Sequence, residues 1–255
     1  MRRKIVMSTT AVIIGAVAIV GASFVGDIKE GQPTVEKEQG EVVSGLEDDK
    51  KSDKEVINEL ENMHAKPVFK VHESIPPDIV ELMKNKSLPE NAKGISVNDL
   101  AYLELAYKDY NGHTQIGEMI VNKKVAKEVT DIFKEIYDSG FPIEKMELVD
   151  MYEASDDKSM LANNSSAFNY RTIAGTNVLS NHGKGVAIDI NPFSNPHVVK
   201  GVANPKDAQK FADRTLDEKD MIKEGDPVYK AFTSKGWKWG GHWDNPDYQH
   251  FEKEI

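Results

Sequence analysis

No cysteine occurs among the 255 residues. That absence excludes a disulfide scaffold, a cysteine-ligated zinc site, an iron–sulfur centre, a thiol nucleophile and lipidation at an N-terminal cysteine. Any metal must be held by nitrogen and oxygen. Positive charge is also short: 32 Lys and Arg stand against 42 Asp and Glu, a formal charge of -10. Such a balance argues against nucleic acid as the main partner, because binding to a phosphate backbone rests on clustered Lys and Arg. The length allows one globular domain of ordinary size and some unstructured chain besides.

The start of the chain sets Met1-Arg2-Arg3-Lys4 before residues 5–25, which carry no charged side chain. A basic stretch followed by an apolar run is the pattern of an export signal or an uncleaved membrane anchor, with the small residues around Ala22-Ser23 as the cleavage point. About 20 apolar residues just span a bilayer, so residues 1–26 read as a signal or an anchor, and either places the remainder outside the cytoplasm. Residues 27–65 hold 12 acidic and five basic side chains with few aromatics. This composition predicts an acidic flexible tether over 27–66, with a short helix near Lys54–Met63.

Folded sequence is expected over 67–255. PVFKVH reads as a strand, and Ile75-Pro76-Pro77 starts a helix through DIVELMKN. A cap at Ser96 or Asn98 precedes the extended YLELAYKDY, and Asn111-Gly112 turns the chain back into Gln115–Val121 as a hairpin. Lys124–Ser139 places Val125, Val129, Ile132, Phe133 and Ile136 on one face and is followed by Gly140, the pattern of an amphipathic helix with a glycine cap. FPIEKMELVDMY reads as a further strand. SDDKSMLANNSSAFNYR is polar and turn-rich, yet carries an aromatic and an arginine, as loops that line sites do.

Two blocks carry the chemistry. In the first, Ser180–Asn191 (SNHGKGVAIDIN), glycines after a histidine permit close backbone approach, and VAIDI reads as a buried strand that holds a carboxylate. A lone Asp in such a strand is costly unless paired or metal-bound, so Asp189 either pairs locally or serves as a ligand. In the second, Gly236–Glu252 (GWKWGGHWDNPDYQHFE), two histidines and several carboxylates lie among three tryptophans and a phenylalanine. That apolar wall favours metal binding and pKa tuning. His182, Asp189 and His250 together supply the two imidazoles and one carboxylate that a catalytic zinc uses while keeping a fourth position for water. Asp247, three residues before His250, is then placed to take the proton of that water as it attacks a carbonyl. His64, His72, His113 and His197 read as surface or ordinary core histidines.

The two blocks resemble the zinc D-alanyl-D-alanine carboxypeptidases and dipeptidases of vancomycin-resistance type, a group that includes the L-alanyl-D-glutamate endopeptidases of phage endolysins and spore-formers. SNHGKGVAIDIN is similar to the signature S-x-H-x-x-G-x-A-x-D, and GWKWGGHWDNPDYQHFE to G-G-x-W followed by D/E-x-x-H. The likeness extends over roughly residues 69–255 and is to the carboxypeptidase branch. It implies an α+β zinc peptidase fold, a central antiparallel sheet with helices packed on it, which hedgehog signalling domains share. It implies one Zn2+ held by His182, Asp189 and His250, and an acid/base at Asp247 where the dipeptidases carry Glu. Arg171 of FNYR falls on the arginine that neutralises charge near the scissile carbonyl; the competing reading is a structural guanidinium paired with a core carboxylate. By the same likeness Ser180 and Glu252 orient His182 and His250, and His242, where other members can have Asp, is a pocket-wall residue and substrate contact. The implied activity is removal of the terminal D-Ala from peptidoglycan stem peptides by a cell-wall-associated monomer that meets the membrane only through its N-terminal segment. The competing functions are an L-alanyl-D-glutamate or cross-bridge endopeptidase and a non-catalytic zinc-containing wall-binding domain.

Overall fold

The computed structural model describes residues 66–173 and 175–255. The expected signal or anchor over 1–26 and the tether over 27–65, with its helix near Lys54–Met63, lie outside the described residues. Among the described residues no helix is long and apolar enough to cross a membrane.

The first sheet is antiparallel, in the order β1 (Phe69–His72), β2 (Leu100–Lys108), β3 (Thr114–Asn122). The expected hairpin forms, with Leu103 opposite Met119 and Leu105 opposite Gly117. Gly117 is there because Met146 crosses it: a Cβ would stand 2.5 Å from that side chain. Alternation along β2 sorts its apolar side chains to two faces. Ala101, Leu103 and Leu105 join Met119 and Val121 in the main core, while Leu100 and Tyr102 join Ile120, Met83, Leu148 and Phe168 in a second one. The sheet is therefore covered on both sides, which is why β2 reads as an almost unbroken buried run.

Helix α1 (Pro77–Met83) begins at a proline, as the sequence suggests, and closes the second core with Met83. Ser96 and Asp99 form a capping box, with Ser96 Oγ donating to Asp99 Oδ2 at 2.7 Å, but the helix they cap is a single 3-10 turn. Helix α2 (Lys123–Ser139) covers the other face of the sheet with Val125, Ala126, Val129, Ile132, Phe133 and Ile136. Asn122 Oδ1 accepts from the Lys124 amide at its start, and Gly140 ends it at φ 75°, a left-handed conformation that favours glycine.

The second half of the chain builds a separate small sheet, β4 (Ala187–Asp189), β8 (His250–Glu252) and β7 (Lys238–Trp239), all antiparallel with β8 central. A two-stranded ribbon, β5 (His197–Val199) with β6 (Val202–Asn204), stands beside it. A single central sheet is thus corrected to two three-stranded sheets and a ribbon within a mixed α/β architecture. Aromatic stacking joins the halves: Phe232 of α4 (Pro227–Thr233) stacks on Phe251 of β8 at 4.2 Å and meets Phe133 of α2 edge-on at 6.5 Å.

Two expectations fail in the middle of the chain. FPIEKMELVDMY is no strand: it runs beside the hairpin through single bridges, such as that of Pro142 with Lys108, and ends in a 3-10 turn, Val149–Tyr152. Its backbone is engaged one bond at a time, Ile143 N to Lys108 O and Glu118 N to Met146 O, so no ladder develops. SDDKSMLANNSSAFNYR is not all loop, because Ser155 accepts from the Lys158 amide and starts helix α3 (Asp156–Leu161).

Candidate metal centre and active-site cavity

The His182 loop is wound by its own backbone and by Ser180. Ser180 Oγ accepts from the Gly183 amide at 3.0 Å, and the Gly185 amide donates to the His182 carbonyl at 2.9 Å. Gly185, at φ 71°, accepts at its carbonyl from the Asn122 amide, and a Cβ there would lie 2.6 Å from that nitrogen. Only glycine lets this loop dock against the junction of β3 and α2. Ser180 therefore shapes the turn that carries His182.

Strand pairing delivers the other groups. Asp189 of β4 lies directly opposite His250 of β8, and a bridge to Ser166 holds the far edge of β4. His182 Nε2 stands 3.1 Å from His250 Nδ1 and 3.3 Å from Asp189 Oδ2, while His250 Nδ1 is 3.1 Å from Asp189 Oδ1. These separations fit a single ion: ligand atoms at about 2.0–2.1 Å on a tetrahedron are roughly 3.3 Å apart. The outer nitrogens fix the tautomers. His182 Nδ1 donates to the Ala167 carbonyl at 2.7 Å and His250 Nε2 donates to Glu252 at 3.1 Å, which turns both remaining lone pairs inward. Glu252 also accepts from Asn181 at 2.7 Å. The His/Asp/His cluster is thus geometrically compatible with a metal ion, and its donor set, two imidazoles and a carboxylate, suits zinc.

Electrostatics agrees with the geometry. Burial opposes ionisation of Asp189, but His182 and His250 outweigh it and hold the carboxyl well below its ordinary value. Glu252 is held down to about 2, first by its hydrogen bond from His250. Asp247 moves the other way: burial and then the Asp189 carboxylate raise it above its ordinary value, against the pull of His250, His197 and the Gln249 amide. The backbone places Asp247 by donating its amide to the Gly240 carbonyl and by a bridge to His197. Gly240 is needed, since a Cβ there would come within 2.7 Å of the Asp247 carbonyl.

His182, Asp189, His250, Asp247 and Arg171 line one cavity of about 260 Å³. Arg171 Nε pairs with Asp156 Oδ2 at 2.5 Å, a half-exposed carboxylate and not the core one of the competing reading. Its Nη1 is nonetheless buried without a hydrogen-bond partner, as is Asp247 Oδ1. His242 does not line this cavity; it sits edge-on to Trp239 and Tyr229 with Glu224 at 3.6 Å. Trp239 is core, and Trp243 lies over the His250 ring at 5.2 Å.

Among the cavity residues that sequence reasoning passed over are Asp156, Asp157, His197 and Gln249. The Ser155-Asp156-Asp157 run was a legible helix cap. His197, read as an ordinary histidine, reaches the cavity only through the pairing of β5 with the loop before β8, for which the sequence carries no local signal.

Residues 174–253 match the family model described as D-alanyl-D-alanine carboxypeptidase, in peptidase family M15. The match covers under a third of the chain and includes His182, Asp189, Asp247 and His250. Arg171 lies just before it. No curated protein and no solved structure matches the chain. A family match joined to a convergent His/Asp/His cluster supports a metallopeptidase of cell-wall type.

Proposed function

We propose that the protein is a zinc D-alanyl-D-alanine carboxypeptidase that removes the terminal D-Ala of peptidoglycan stem peptides outside the cytoplasm. One observation carries the reading: the ligand cluster, a buried carboxyl with a raised pKa and a buried guanidinium nitrogen without a partner share one cavity within and beside the matched region.

His182, Asp189 and His250 would hold the ion, with Ala167 and Glu252 keeping the rings in register. Zinc bound there supplies a Lewis acid that polarises a carbonyl and acidifies water. Asp247 takes a proton from the attacking water and returns it to the leaving amine, the task for which a raised pKa suits a carboxyl. Arg171, held at Nε by Asp156, offers Nη1 to the oxygen on which negative charge develops. Because these charges are fixed before substrate arrives, little reorganisation accompanies the reaction. A cavity of about 260 Å³ lies just below the usual range of ligand pockets, roughly 300–1,000 Å³, and accommodates a short piece of a peptide.

The test is mass spectrometry of a stem pentapeptide incubated with the zinc-loaded full-length chain, with a chelator control. Chelator-sensitive loss of a single D-alanine supports the proposal. An internal cut replaces it with an endopeptidase, and a zinc-loaded chain without product leaves a wall-binding domain.

A further inference from the structure

One buried polar atom in the cavity has no part in the mechanism above. Gln249 is 2% exposed, and its Oε1 has no hydrogen-bond partner. The other end of the amide, Nε2, meets the Met160 sulfur of α3 at 3.7 Å, a weak acceptor, and also acts on the Asp247 carboxyl, whose pKa it pulls down; neither partner engages Oε1. Both Gln249 and Met160 line the cavity. The residue is not loose: the Ile190 amide donates to its backbone carbonyl at 3.1 Å, and it stands between Tyr248 and the ligand His250. A buried carbonyl without a donor is destabilising. A leucine or methionine would fill the same space without that cost, so the amide is conspicuous where it stands.

We propose that Gln249 is a substrate-orienting residue, whose Oε1 accepts a hydrogen bond from a backbone N–H of the peptide bound in the cavity. The inference rests on the peptidase reading and adds a specificity contact to it. The chemistry recognised is a secondary amide with its N–H free, which requires an acylated peptide and disfavours an ester or an N-alkylated amide at that position. With the Arg171 Nη1 donor in the same cavity, the wall then offers one donor and one acceptor to a peptide backbone, which itself carries one of each per residue.

The experiment is a double substitution, one on each partner. The full-length zinc-loaded chain and its Gln249→Met variant are assayed on a stem pentapeptide and on analogues in which each non-scissile amide in turn is replaced by an ester. In the wild type one ester analogue should lose about ten-fold in kcat/KM, the effect of about 1.4 kcal/mol, and the others little. In Gln249→Met the all-amide peptide should lose about ten-fold, and the sensitive ester should cost no more than about two-fold further. The melting temperature of the metal-free variant should be equal or higher, since a buried unpaired carbonyl has been removed. A lowered melting temperature with unchanged kinetics would show a packing residue and overturn the proposal, as would equal ester penalties in both proteins. Should Gln249→Met not fold, Gln249→Asn, which withdraws the amide by one methylene, must show the same loss of ester discrimination. A zinc-loaded wild type that cleaves no peptide overturns the peptidase reading and this contact with it, whereas cleavage with no discrimination overturns this contact alone.

Discussion

In the metal-free protein the centre should hold a proton where the ion belongs, and metal binding should expel it. His182 Nε2 and His250 Nδ1 are 3.1 Å apart, and the outer proton of each ring is committed, to Ala167 and to Glu252. Two lone pairs do not approach so closely, so one inner nitrogen carries a proton. It belongs to His250: burial opposes its charge, yet hydrogen bonds with Asp189 and Glu252 prevail and push it up to about 10. At pH 8 an ordinary histidine, with a pKa of about 6.5, is neutral and would release almost nothing. His250 should release about one proton, and affinity should rise about ten-fold per pH unit towards pH 10. Calorimetric titration of the chelator-stripped chain at pH 8 measures this, with buffers of different ionisation enthalpy giving the proton count. Cadmium is the better titrant, because its bound water is less acidic than zinc's. Binding of one ion with no buffer dependence would refute the reasoning. The same shift has a stability consequence. Because the folded pKa lies above the unfolded one, the contribution of His250 is complete below about pH 6.5 and is lost as pH rises towards about 10. The melting temperature of the stripped protein should therefore fall over that window, a trend that bound metal abolishes.

Other outcomes follow from the same geometry. Asp247→Asn should keep the metal, measured by elemental analysis, while kcat falls about 10²–10⁴-fold; unchanged hydrolysis would remove Asp247 from the mechanism. Glu252→Gln weakens the hold on His250 Nε2 and should cost about 10–100-fold in metal affinity by competition with a chromogenic chelator, against little change if Glu252 only decorates the surface. Gly185→Ala meets a left-handed backbone at φ 71° and a backbone nitrogen at 2.6 Å. The conformation alone costs about 1–2 kcal/mol, so urea unfolding should show at least that loss, together with weaker metal binding as the His182 loop shifts. A wild-type midpoint would mean that the loop is held elsewhere.

Local pattern was enough to read the hairpin and the apolar face of α2, and to narrow the cap to Ser96 or Asn98, because each depends on near neighbours and on a period of 2 or 3.6. Residue type and family likeness together pointed to His182, Asp189 and His250, which the fold brings within reach of one ion. Pattern misled at FPIEKMELVDMY, where an apolar alternation marks burial beside a sheet, not membership of it. It was silent on Asp156, His197 and Gln249, whose place at the cavity depends on how α3, β5 and the turn before β8 meet. His242 shows the converse, a histidine in the right block that packing turns onto Trp239 and Tyr229. The residue types that can hold a metal ion are written in the chain by themselves. Which nitrogen faces inward, which carboxyl has its pKa raised and which buried atoms wait for a partner depend on Ala167, Glu252, Asp189 and Met160. Those neighbours are set by long-range pairing and burial, and only the tertiary structure brings them together.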